Sequence, residues 1–149
     1  MSAASKVTRA DIVLCARRWL GTPYQHQASL IHVGCDCLGL VRGIWRELIG
    51  PEPETPPPYS ADWAEVGGID TLQLVARRYL QPGGKAGWQA GDVLLFRWRA
   101  HLPAKHLAIV TARDMMIHAH DGAAVAEVAL SPFWLRHLDQ VFAFPGLTV

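Results

Sequence analysis

Cys37, His106 and His118 have the side chains of a thiol-based acyl-transfer site. In such a site a thiolate attacks a carbonyl carbon, an imidazole moves the proton, and a third polar group holds the imidazole in the useful tautomer. Cys37 follows Asp36, a good helix N-cap, so backbone N–H groups and the positive helix end should surround its sulfur. That setting can lower a thiol pKa from about 8.5 into the range of roughly 3.5 to 7.5, and it aims the same N–H groups at an oxyanion. Local sequence also allows a bland reading, a buried thiol on the apolar stripe of a helix.

His106 opens the apolar run LAIV, so a strand would carry its ring at the end where a sheet meets a cleft. His118 and His120 follow on the next predicted strand. A three-residue connection at 111–113 sets His106 opposite His118, and one at 112–114 sets it opposite His120. An even-numbered connection without a bulge would put the histidines on opposite faces. Either partner could orient the His106 ring.

Zinc is the competing chemistry, because Cys35, Cys37, His118 and His120 are all ligand types. A C-x-C spacing that runs into a helix is not a zinc knuckle, and no second cysteine pair exists, so no metal is expected. Cys15 falls on the inner stripe of a first helix and reads as structural. His26, His32, His101 and His137 read as surface residues.

The elements that must position these groups follow from periodicity. Thr8 and Asp11 form a capping box ahead of Ile12, Cys15, Ala16, Trp19 and Leu20, and Gly21 and Pro23 stop that helix. Asp36 starts a second helix with the stripe Leu40, Val41, Ile44, Trp45 and Leu48, and a third spans 70–80. Gly34 suits a tight entry turn, and Gly39 and Gly43 would let the second helix approach a sheet. Five prolines within 51–59 make a stiff loop rather than a domain boundary. From residue 90 the period shortens: AGDVLLFRW, KHLAIVTA, MMIHAH, AAVAEVAL and QVFAFP read as four or five antiparallel strands. Helices first and strands afterwards give an α+β domain with helices on one face of the sheet.

The 149 residues are half hydrophobic, which suits one domain, 1–149, burying roughly 70% of its unfolded surface. Fourteen Lys and Arg against thirteen Asp and Glu leave a net charge of +1, unlike the basic footprint of a nucleic-acid binder. No window approaches the ~18 apolar residues of a membrane span, and MSAASKVTRAD lacks the apolar core of a secretion signal. Synthesis in the cytoplasm is therefore expected. Three cysteines without secretory context argue against a disulfide framework.

GTPY at 21–24, GCDCLGLVR at 34–42, AGDVLLF at 90–96, KHLAIV at 105–110 and MIHAH at 116–120 together resemble the NlpC-type peptidases, papain-like cysteine peptidases of bacterial cell wall. The resemblance runs through the closing FAFP at 142–145 and is nearest to the branch carried in the tails of phages and phage-like particles. It implies Cys37 as nucleophile, His106 as base, His118 rather than His120 as orienter, and Tyr24 beside the nucleophile to position substrate or oxyanion. Asp36 remains a cap, and no cofactor is implied. Leu38, where many relatives carry Ser, and Gln27-Ala28, in place of a Gly pair, depart from the pattern and imply a cleft of different shape. The implied substrate is peptidoglycan, cut between D-glutamate and meso-diaminopimelate, and the implied partners are tail baseplate or hub proteins. A sugar-peptide amidase, an acyltransferase and a non-catalytic tail module are the alternatives on the same fold. Relatives that are lipid acyltransferases usually carry the His before the Cys, the reverse of the order here.

Overall fold

The computed structural model of the chain describes residues 6–54, 70–83 and 87–147. The first helix, α1 (Arg9–Arg18), begins with the capping box: Thr8 Oγ1 accepts the Asp11 N–H at 3.1 Å and Asp11 Oδ2 accepts the Thr8 N–H at 2.9 Å. A short hairpin, β1 (Ser29–Leu30) and β2 (Gly34–Cys35), delivers the chain to Asp36, the N-cap of α2 (Cys37–Ile44). The predicted stripe runs on to Leu48, but the α-helix gives way to a π-helical turn over Trp45–Ile49. On that turn Glu47 accepts the Cys15 thiol at 2.7 Å and pairs with Arg18, which gives buried Cys15 a structural partner. Asp70 caps α3 (Thr71–Tyr79). Of the proline-rich stretch 51–59, residues 55–59 lie outside the described residues, as does Gly84.

Six strands form one antiparallel sheet: β3 (Gln81–Pro82), β4 (Val93–Phe96), β5 (His106–Ala112), β6 (Met115–His118), β7 (Ala126–Ala129) and β8 (Leu138–Ala143). Their spatial order is β3-β8-β4-β5-β6-β7. Five of them match the predicted segments. The sixth, β3, is two residues long and contains a proline, which an edge position beside β8 tolerates and no periodicity could reveal.

Both faces of the sheet are covered. Val93, Leu95, Leu107, Ile109 and Ile117 join α1, α2 and α3 in the main core, while the alternate residues Leu94, Phe96, Ala108, Val110 and Met116 form a second one. A fourth helix, α4 (Pro132–His137), lines that second face with Trp134, so the expectation of helices on a single face is corrected. Two-sided cover also explains why Val93–Phe96 reads as a continuous apolar run.

The glycines of α2 serve neighbours other than the sheet. An ideal Cβ on Gly39 would stand 1.8 Å from the Ala28 carbonyl oxygen, and one on Gly43 would stand 2.0 Å from Trp19 Cζ2, so these positions admit a loop and α1. Gly34 is required by the Gln25 side chain, 2.4 Å from its ideal Cβ, rather than by a turn. The Gly39 clash is with backbone and cannot be relieved by a rotamer. Gly39→Ala should therefore destabilise the fold by on the order of 3 kcal/mol, the upper end of overpacking costs. Urea unfolding of the purified variant reads this directly; a midpoint equal to the parent's would refute it.

Candidate active site

Asp36 organises the start of α2. Its Oδ1 accepts the Gly39 N–H at 2.7 Å and its Oδ2 accepts the Gln27 N–H, also at 2.7 Å. The second bond holds the loop that departs from the usual glycine pair, with Gln27 in the left-handed region at φ 63°. Leu38, the other departure, is 3% exposed and turns into the main core, where it lines an apolar groove with Val41, Val75, Leu80 and Leu107.

Cys37 thus occupies the first helical position, 7% exposed, and the nearby backbone N–H groups of Leu38 and Leu107 favour its thiolate form. Leu107 is the residue after His106, so the thiol lies against the first residues of β5. The expected fall in the thiol pKa does not occur. Burial pushes Cys37 up to about 12, the Asp36 carboxylate adds to the rise, and the two backbone N–H groups oppose it without prevailing. A helix end stabilises a thiolate only to the extent that desolvation leaves it room to do so.

His106 and His118 meet. Their Nε2 and Nδ1 atoms are 2.9 Å apart, and the residues are 5% and 6% exposed. The turn between β5 and β6 spans Arg113 and Asp114, and a bulge between Val110 and Ala112 restores the parity that an even-numbered turn would have lost. Ile109 faces Ile117 and Val110 faces Met116, a register that carries His106 opposite position 120 and makes His118 its diagonal neighbour on the same face. The hydrogen bond goes to His118; exposed His120 presents its ring to His106 at 5.5 Å, edge to face. Burial drives the His106 pKa well below 6.5, with His118 and His120 adding to the effect, and burial followed by His120 lowers His118 to about 4. Both rings are neutral at pH 7. Either nitrogen can donate in this bond; in the tautomer where His106 Nε2–H donates to His118 Nδ1, the lone pair of His106 Nδ1 is left outside the bond and can take a proton.

Tyr24 sits beside this group. A parallel bridge joins it to Cys35, flanked by Gln25 N–H to Cys35 O at 3.0 Å and Cys35 N–H to Pro23 O at 3.1 Å. Burial holds its phenol above the usual range, helped by Cys37, Asp36, Asp121 and Cys35, so the hydroxyl remains a donor. Cys35 is buried within the main core. Among the described residues no three His, Cys, Asp or Glu side chains converge on a cation position, so the four zinc-ligand candidates do not assemble.

One residue of this neighbourhood escaped the sequence reading. Trp134 of α4 stacks on His106, with centroids 5.4 Å apart and planes at 29°, and meets His118 edge to face at 5.2 Å. Ser131-Pro132, an N-cap followed by proline at the first helical position, was the signal that a helix interrupts the strands.

Comparison with known proteins bears on the family and the fold. A family model described as the NlpC/P60 family matches residues 21–143. Solved structures with the same fold include an NlpC/P60 family protein from Bacillus cereus, with a TM-score of 0.66 and 19% identity over 95% of this chain and 41% of that one. The NlpC/P60 domain of peptidoglycan hydrolase SagA superposes with a TM-score of 0.62 and 21% identity over 93% of this chain and all of that one. A Staphylococcus aureus protein described as similar to lipoprotein, NLP/P60 family, gives 0.61 and 18% identity over 99% of this chain and 46% of that one. Two of these three relatives are therefore more than twice as long as the stretch they share with this chain. No curated protein matches the sequence significantly. With the family model covering most of its length, the chain belongs to the NlpC/P60 family.

Proposed function

We propose that the chain is a cysteine peptidase that hydrolyses peptide stems of peptidoglycan. The observation that supports this most is the buried His106–His118 hydrogen bond at the start of β5, the strand whose Leu107 shares the main core with Cys37 of α2. Family membership supplies the reaction class, and the SagA domain shows that a fold of this length occurs within a peptidoglycan hydrolase.

In this reading the resting site holds a neutral thiol and a neutral imidazole. As Cys37 Sγ attacks the stem carbonyl, its proton passes to His106 Nδ1, and the imidazolium stays bonded through Nε2–H to His118 Nδ1. The Leu38 N–H and the Tyr24 hydroxyl are the donors for the oxyanion. His106 then protonates the leaving amine, and the C–N bond breaks. Water, deprotonated by His106, releases the acyl group and regenerates the thiol. The scissile bond is the one between the γ-carboxyl of D-glutamate and meso-diaminopimelate, on the strength of the sequence resemblance. The same resemblance is the support for a setting in a phage-like tail, among baseplate or hub proteins, with action in the periplasm or cell wall.

Purified protein incubated with defined muropeptides should yield fragments split at that bond, read by mass spectrometry. Cys37→Ala should lower the rate by at least about 10,000-fold and His118→Ala by about 100-fold. Undiminished cleavage by Cys37→Ala would eliminate the mechanism, and release of sugar from peptide would favour the amidase alternative.

The pH dependence has a definite sign. Catalysis needs neutral His106, whose pKa lies well below 6.5, so kcat/KM should hold its neutral-pH value down past pH 6.5 before it declines. His118 is lowered to about 4, so the unfolded chain binds more protons between about pH 4 and 6.5, and folding stability must fall as pH drops through that window. An acid limb centred above 6.5, measured with the muropeptide, contradicts this.

For the setting, the protein should co-sediment with purified tail particles from the cell that encodes it. Recovery only as a free species, with particles lacking it, would remove the tail assignment and leave the chemistry intact.

A further inference from the structure

Among the described residues, Trp134 is the one side chain whose ring meets all three histidine rings: His106 at 5.4 Å, His118 at 5.2 Å and His120 at 5.7 Å. It contacts His106 with its face, at 29° between planes, and the other two nearly at right angles. Its own position is secured from behind by Phe96 at 5.2 Å, Trp98 at 5.7 Å and Phe133 at 5.2 Å. The His106–His118 hydrogen bond therefore lies beneath an indole that is braced on three sides.

We propose that Trp134 is a positioning residue for the reaction, holding the His106 ring in plane and keeping water away from its hydrogen bond to His118. A flat aromatic stack restricts rotation of the imidazole about its terminal torsion, which sp³–sp² geometry alone leaves broad. Exclusion of water strengthens the bond between the rings and penalises the charged imidazole. The titratable groups acting on His106 are His118 and His120, from β6 and the residues just after it; Lys105 precedes it in the chain. β4 contributes Phe96 and α4 contributes Trp134, neither of which titrates, so the cover on this side acts through solvation and shape.

The inference rests on the peptidase reading for its consequence in turnover but not for its first measurement. Long-range proton–nitrogen spectra of histidine-labelled protein report the tautomer and titration midpoint of His106 without substrate. In the parent, His106 should be protonated at Nε2 and titrate below 6.5. In Trp134→Ala the midpoint should rise towards 6.5 and the tautomer should become mixed, while Trp134→Phe, which keeps an aromatic plate, should restore most of both. Trp134→Leu covers the site without an aromatic face and is the test if the alanine variant fails to fold. A His106 midpoint and tautomer unchanged in Trp134→Leu, or in folded Trp134→Ala, would overturn the proposal. With muropeptide, Trp134→Ala should lose about tenfold in kcat with KM changed less than twofold; a rise in KM at constant kcat would instead make Trp134 a substrate contact and overturn it. A parent that titrates as described yet leaves every muropeptide intact would refute the peptidase reading while supporting the role of Trp134.

Discussion

Both oxygens of the Asp36 carboxylate are committed to backbone N–H groups, one at the start of α2 and one in the loop before it. That double bond pattern ties the segment bearing Tyr24 to the helix bearing Cys37 and fixes where each enters the site. It also sets the demand at Gly39. The loop held by Asp36 passes so close to α2 that the Ala28 carbonyl occupies the space of a Cβ, and Ser29 Oγ donates to the Gly39 carbonyl at 2.6 Å. A helix cap is ordinarily a local device worth about 1 kcal/mol. Here the same side chain positions two pieces of one site.

The second half of the site depends on sheet geometry. A two-residue turn would have reversed the facing of His118 relative to His106, and the bulge at Thr111 prevents this. Thr111 is itself anchored, its hydroxyl donating to Glu127 on β7 at 2.6 Å. The extra residue is thus held from β7, across β6, rather than left to slide, and the histidine pair inherits that register.

Burial governs the electrostatics of the assembled group. A helix N-terminus favours a thiolate and a neighbouring histidine could accept its proton, yet the enclosed site favours neutral forms of both. In the proposed reaction, proton transfer is coupled to attack on the substrate, whose developing oxyanion supplies the charge that the resting site lacks.

Much of this was legible in the amino-acid order. Capping boxes and N-caps are local hydrogen-bond arrangements, so Thr8 and Asp36 announced their helices, and β-branched and aromatic runs announced five strands. The ordered motifs around Cys37, His106 and His118 identified the family. What the order of residues could not contain was distance between segments. That His118 and His120 share a face with His106 turned on a bulge, and the bond then went to the diagonal neighbour, His118. The thiol pKa turned on how completely α2 is buried, and the partners of Gly39 and Gly43 turned on which segments happened to approach. Trp134 lies 28 residues beyond His106 in sequence and against its ring in space. Local patterns record what a segment does with its own backbone; the site arises from contacts between segments, and only the packed structure decides those.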